Sequence, residues 1–239
     1  MLSLVLAWLG AAAFAGSLAL FLLLYFLTYG VPAAGPAGLG NTLAPVAIDV
    51  ALFTAFALHH SLFARPRIKT LVGARVSPAL ERTFYTWVAS GLFVIVCWAW
   101  RPVPGVLYVL PAPWHWFGVA AQAAGIIITI LGSRSLDVLE LSGVRQVVRA
   151  RGAAPRQTNA ELQTRGVYAI VRHPLYFGWA LFVFGAPHMT ATRFTFAVVS
   201  TLYLAIAIPF EERALAETFG PRYDAYRKSV RWRMLPALY

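Results

Sequence analysis

Charge is scarce in this chain, and acid is scarcer still: Asp and Glu supply 9 of 239 residues, and all charged residues together make up 12%. A soluble domain keeps about a quarter of its residues charged, so a surface that faces water on every side is excluded. Cysteine is almost absent. The single Cys97 excludes an intramolecular disulfide and a cysteine-based metal cluster. It lies inside an apolar segment, where packing is its expected role. Internal repeats and low-complexity tracts are also missing, which excludes a solenoid or a linker array.

What fills the chain instead is apolar. Hydrophobic residues make up 59% and the mean hydropathy is +0.67, the composition of an integral membrane protein. The run from Leu2 to Thr28 is too long for the apolar core of a cleaved signal, carries no basic leader and ends without a small-residue cleavage site, so it is expected to be a retained first span. An uncharged Gly- and Pro-rich stretch, Gly30 to Ala44, reads as a loop. Further spans are expected at about Pro45–Ala64, Pro78–Trp100 and His115–Leu131. Trp98, Trp100, Trp114 and Trp116 suit a headgroup belt around the Pro-rich loop between the last two.

The stretch from Gly132 to Arg172 is polar and holds seven arginines, the one segment long enough to build a lid or pocket outside the bilayer. Two apolar arms follow, Pro174–Pro187 and Thr192–Phe210. The first has length for about 21 Å of helix, short of a hydrocarbon core of about 30 Å, as in one half of a tilted helical hairpin. Beyond Phe210 the stripe Leu215, Phe219, Tyr223, Tyr226 has helical spacing interrupted at Gly220-Pro221, as in an interfacial tail. The expected fold is therefore all-α and polytopic, with five to six transmembrane helices and a cytoplasmic C-terminal helix. A single integral membrane domain is expected over 1–239, with N-terminal helices in 1–132 and, in 133–239, the half that carries most of the candidate chemistry.

The net charge of +11 would suit nucleic acid if it lay on one face. It does not. The loops after spans two and four, the tail and Arg82 hold 18 of the 20 Lys and Arg residues, leaving only Arg101 and Arg193 on the other side. Loops rich in Lys and Arg stay in the cytoplasm, so the basic loops and both termini are expected there, with lipid and no nucleic acid as partner.

Candidate chemistry concentrates where the polar loop turns into the first arm, RGVYAIVRHPLYFGW (Arg165 to Trp179). Pro174 marks a helix start, since proline lacks only an N–H that would have no intrahelical partner there. His173 and Tyr176 share a face of the first turn. Free N–H groups at such an end attract an anion, and the faces of Tyr168 and Tyr176 suit a base or a cation. Glu211 and Glu212 sit where an apolar span ends; beside Arg213 they also read as a solvated helix end. On the polar sides of spans two and four lie His59, His60, Ser61, Asp137, Glu140 and Arg145-Gln146. A metal site can be written from these, but adjacent histidines do not point the same way on a helix, so none is expected. A proton acceptor within a substrate pocket and plain interfacial solvation are the other two readings. Asp49 lies within span two and is expected to face the helix bundle, because a lipid-facing charge is costly.

RGVYAIVRHPLYFGW resembles the arginine-histidine-proline-x-tyrosine-x-glycine signature of the membrane methyltransferases that include the isoprenylcysteine carboxyl and phospholipid methyltransferases. The block Glu211-Glu212-x-x-Leu215-x-x-x-Phe219-Gly220-x-x-Tyr223-x-x-Tyr226 is similar to their C-terminal signature. The resemblance implies S-adenosyl-L-methionine as cofactor. Its contacts then fall to Leu162, Gly166, Tyr168, Arg172, His173, Pro174, Leu175, Tyr176, Gly178, Glu211 and Glu212, with Gly178 serving close helix packing. HHSLFARPRIK, ERTFYTWVASGLFVIVCWAWRPVPG and SLDVLELSGVRQV resemble the bacterial methanethiol S-methyltransferases and the related NnrU-type proteins. That branch often has histidine where this chain has Val138. Carboxyl-methylating relatives carry a substrate-binding arginine at the position of Ala207. The resemblance therefore implies S-methylation of a small thiol, methanethiol to dimethyl sulfide, with His60, Asp137, Glu140 and Arg145 as catalytic candidates. An isoprenylcysteine or other lipophilic acceptor is the first alternative, and an NnrU-like accessory protein without turnover the second.

Overall fold

The computed structural model describes residues 1–63, 77, 79–134, 137–152 and 161–239. The basic segment Arg65, Arg67, Lys69 and Arg75, the expected start of the third span at Pro78, and the side chain of Val138 lie outside them. The described elements are α1 (Leu2–Leu27), α2 (Leu39–Phe63), α3 (Glu81–Ala99), β1 (Val106–Val109), α4 (Trp114–Ser133), α5 (Val138–Leu141), α6 (Val144–Ala150), a 3-10 turn (Gly166–Ala169), α7 (Pro174–Phe184), β2 (His188–Thr190), α8 (Ala191–Phe219) and α9 (Pro221–Ser229). Five of the helices are long and apolar enough to cross a membrane: α1, α2, α3, α4 and α8. The all-α polytopic architecture expected from hydropathy is the one observed. One β pair adds to it. β1 and β2 form a two-stranded antiparallel ladder, Tyr108 opposite Met189, built from VLYV in a loop that helical periodicity left unassigned.

Span edges shift in ways that local chemistry explains. α2 begins at Leu39, six residues before Pro45, so that proline lies inside the helix and not at its start. α7 is shorter than expected: it stops at Phe184, with Gly185 as its C-cap and Pro187 beyond, a common helix end. α8 runs 29 residues straight through Pro209 to Phe219. At about 1.5 Å per residue it exceeds the hydrocarbon thickness, so the turns bearing Glu211 and Glu212 continue the same helix as the span.

The chain divides into two compact units. In the first (Met1–Val31, Leu39–Pro102, Asp137–Thr158), α3 packs on α1 and α2, and α6 lies on α1. Ala7, Val144 and Val147 centre one apolar cluster there. Asp49 is fully buried, its Oδ1 accepting the Arg101 N–H at 2.7 Å, so α2 is tied to the end of α3 through an acidic side chain that faces protein.

In the second unit (Pro32–Gly38, Val103–Leu136, Asn159–Tyr239) the closest packing joins α4 to α7. A Cβ at Gly178 would meet Gly125 O at 2.6 Å, and one at Gly125 would meet Phe182 N at 2.7 Å, so the two backbones touch where neither residue has a side chain. α8 packs on α7, and Ala180, Ile208 and Met234 form a buried cluster from α7, α8 and the tail.

Candidate active site

In the second unit, His173 is the N-cap of α7 and takes a non-helical backbone (φ −119, ψ 69), outside the α region that a following proline disfavours. Its carbonyl accepts the N–H groups of Tyr176 and Phe177, both at 3.1 Å, and its own N–H donates to Arg233 O at 2.8 Å. Pro174 has no N–H. Among the described residues, Leu175 is thus the one residue of this first turn whose N–H makes no backbone hydrogen bond, which narrows the expected anion-binding helix end to a single donor.

The His173 and Tyr176 rings stack, with centroids 5.5 Å apart and planes at 13°. Both reach Glu211 on α8. The Tyr176 hydroxyl donates to Glu211 Oε1, and His173 Nδ1 lies 3.4 Å from Glu211 Oε2. Glu211 keeps 42% of its side chain exposed, so this carboxylate is organised by two aromatic groups and partly faces solvent.

Its neighbour Glu212 faces the other way. It is 9% exposed, and its Oε1 accepts from Arg172 Nε at 2.7 Å with Arg172 Nη2 at 2.6 Å, while Arg233 Nε stands 3.3 Å from Oε2. Arg172 also donates Nη1 to the carbonyls of Val230 and Arg231. Arg172 and Glu212 are therefore committed to each other and to the tail. Burial, and then the Glu212 carboxylate, push the Tyr223 phenol up to about 12.

Gly166 starts the 3-10 turn with a left-handed φ of +63, a conformation that favours glycine. With Tyr168 it lines a cavity of about 370 Å³ shared with Leu131, Arg134, Gln163, Arg165 and Val167. The Tyr168 hydroxyl donates to Gly132 O at 3.2 Å, and its carbonyl accepts from the Tyr226 hydroxyl at 2.7 Å. Leu162 packs against the Tyr223, Tyr226 and Val230 cluster. All eleven cofactor candidates thus lie in the second unit, around α7, the 3-10 turn and the end of α8.

The four catalytic candidates lie in the first. His60 lines a cavity of about 430 Å³ with Phe63, Glu81, Arg82, Tyr85, Leu141 and Gln146. Its Nδ1 is hydrogen-bonded to the Tyr85 hydroxyl, and the His59 ring stacks on Tyr85 at 5.5 Å and 12°. The adjacent histidines, expected to diverge, reach the same tyrosine by different parts of their rings. Asp137 pairs with Arg145, and its Oδ1 accepts the N–H groups of Leu139 and Glu140 at 3.1 Å, capping α5. Glu140 pairs with Arg149. Among the described residues no group of three or more His, Cys, Asp and Glu is placed to hold a metal.

Residue-type reasoning passed over Tyr85 and the tail residue Arg233. Tyr85 stands within ERTFYTW, an apolar span pattern in which a phenol reads as packing. Arg233 sits in a basic, aromatic terminus, SVRWRMLPALY, that reads as membrane-surface attraction.

Comparison with known proteins fits this geometry. The phospholipid methyltransferase family model matches residues 113–222. Methanethiol S-methyltransferase 2 of Bradyrhizobium diazoefficiens is 31% identical over 207 residues, covering 86% of this chain and 78% of the relative. The chain belongs to the methanethiol S-methyltransferase family. It is an integral membrane methyltransferase. Methanethiol S-methyltransferase 1 of the same organism is 34% identical over 191 residues, 80% of this chain and 67% of the relative. The Mycobacterium tuberculosis family member is 33% identical over 194 residues, 77% and 76% of the two chains. No solved structure matches.

Proposed function

We propose that this methyltransferase transfers a methyl group from S-adenosyl-L-methionine to a small neutral thiol, methanethiol giving dimethyl sulfide. The observation that carries the reading is the likeness over 207 residues to a protein named for that reaction. The site's chemistry supports the donor. Glu211 offers a half-open carboxylate for hydroxyls or an ammonium, the stacked His173–Tyr176 pair an aromatic wall, and the Leu175 N–H a single donor for a carboxylate. S-adenosylmethionine supplies an electrophilic methyl on a sulfonium sulfur. The chain's own part is to align an acceptor and exclude water.

For the acceptor, Ala207 stands one helical turn before Glu211 where carboxyl-methylating relatives place an arginine, so a carboxylate substrate lacks its partner. The thiol must lose a proton, and His60 is the best placed of the four candidates: Asp137 and Glu140 already neutralise Arg145 and Arg149, whereas His60 lines a cavity and is oriented by Tyr85. The donor site faces the cytoplasm of a bacterial inner membrane; the distribution of Lys and Arg supports the side, and the bacterial relatives the membrane.

Purified protein given labelled S-adenosylmethionine and methanethiol is expected to release labelled dimethyl sulfide. Methylation of a prenylcysteine with no turnover of methanethiol would sink the acceptor choice. Donor binding without turnover of any thiol, amine or lipid would favour the accessory role. The rate is expected to rise with pH until thiolate formation no longer limits it, and His60→Ala is expected to flatten that rise while leaving donor affinity intact.

A further inference from the structure

The last ten residues lie beyond both signature blocks, yet they make the closest polar contacts to the residue that begins α7. The N–H of Arg172 donates to Trp232 O at 3.0 Å and that of His173 to Arg233 O at 2.8 Å. These are the two backbone donors ahead of a helix whose first residue is proline, so the tail fixes the angle at which α7 starts. The Arg233 side chain then turns inward to Glu212 Oε2 at 3.3 Å. It is itself held by the Tyr239 hydroxyl at 3.1 Å and by the Tyr239 ring at 5.2 Å, while the N–H groups of Arg233, Met234 and Leu235 all donate to Tyr239 O. Met234, 1% exposed, anchors the loop against Ala180 and Ile208.

We propose that Val230–Leu235 is a third element of the donor site and that Arg233 is its positioning residue, holding Glu212 away from His173 so that the imidazole stays turned toward Glu211. This rests on the donor-site reading given above. The buried His173 ring sits between two carboxylates, Nδ1 at 3.4 Å from Glu211 Oε2 and Nε2 at 3.6 Å from Glu212 Oε1. The second distance is too long for a hydrogen bond. Arg172 occupies Glu212 Oε1 and Arg233 faces Oε2, so the carboxylate has a cation on each side and no call on the imidazole. Without Arg233, Oε2 loses its cation in a buried setting, and the His173 ring, 3.6 Å from Oε1 of the same carboxylate, is a group beside it that becomes a charged donor when protonated. The ring would then be drawn toward Glu212, away from Glu211 and Tyr176.

The test uses the full chain in lipid nanodiscs and measures binding of S-adenosylhomocysteine by calorimetry, with melting temperature recorded for each variant. Arg233→Ala is expected to weaken binding about tenfold, the scale of one charge-assisted hydrogen bond. Arg233→Lys is expected to recover most of that loss, and guanidinium chloride at millimolar concentration to restore part of it to Arg233→Ala. The KM for the thiol is expected to stay unchanged. Val147→Ala, in the core of the first unit, serves as a variant of lowered stability and is expected to leave binding intact. Affinity within twofold of wild type in Arg233→Ala overturns the proposal, as does a loss that Val147→Ala reproduces or that neither lysine nor guanidinium relieves. If Glu211→Gln and Tyr176→Phe weaken binding while Arg233→Ala does not, the tail proposal fails and the donor site stands. If none of the three changes affinity, the donor-site reading fails and takes the proposal with it.

Discussion

The ion pairs beside the candidate residues are placed in opposite ways in the two units. In the second, Arg172 and Glu212 are 7% and 9% exposed and make several mutual and backbone hydrogen bonds. In the first, Arg145 with Asp137 and Arg149 with Glu140 pair at 24–48% exposure on short helices. A charge removed from water must be matched by partners fixed in place, whereas a half-exposed pair can be replaced by solvent at small cost. The second unit therefore encodes a rigid scaffold behind Glu211. The first keeps ion pairs that tolerate rearrangement beside its cavity.

The largest expected effect follows directly. Glu212→Ala leaves Arg172 buried without its carboxylate and is expected to destabilise the protein by about 3–5 kcal/mol. Glu140→Ala, by contrast, is expected to cost no more than about 1 kcal/mol. Thermal and denaturant unfolding of the two variants in the same detergent checks the ratio; equal losses would break the contrast between the units.

Next in size is the difference within the pair itself. Glu211→Gln and Tyr176→Phe remove polar groups that face an open site, so each is expected to lower donor affinity about tenfold with little change in melting temperature. A variant that loses stability in step with affinity would place Glu211 with its neighbour as scaffold.

That division was only partly legible in the sequence. The spans were readable because apolar runs of about twenty residues have few alternatives in a membrane. The start of α7 was readable because His173-Pro174 combines a non-helical residue with a proline that can only open a helix. Whether Glu211 or Glu212 turns inward was not, since adjacent residues on a helix differ by about 100° in direction and the inward one is chosen by what waits there. What waits is Arg172, 40 positions back along the chain, with Arg233, 21 positions further on. Contacts of that kind leave no periodicity. Tyr85 escaped for a related reason: a tyrosine in an apolar span is the same residue type whether it packs or holds a histidine, and only the fold brings His59 and His60 to it.

The smallest effect concerns pH and appears only in alkali. Tyr223 is fully buried, and burial with the nearby Glu212 charge raises its phenol from about 10 to about 12. In the unfolded chain the same phenol ionises from about pH 10. Between about pH 10 and 12 the unfolded state therefore binds fewer protons than the folded one, and stability must fall as pH rises through that window. Below it both states hold the proton and the group contributes no pH dependence. Tyr223→Phe is expected to leave the melting temperature nearly flat from pH 7 to 9 and to make its decline between pH 10 and 12 shallower than in wild type. Tyr226, whose phenol is also raised chiefly by burial, is expected to contribute to the remaining slope. An identical alkaline decline in the Phe variant would mean that Tyr223 gives up its proton as easily in the fold as out of it, and that the second unit's buried charges are less sheltered from water than their geometry implies.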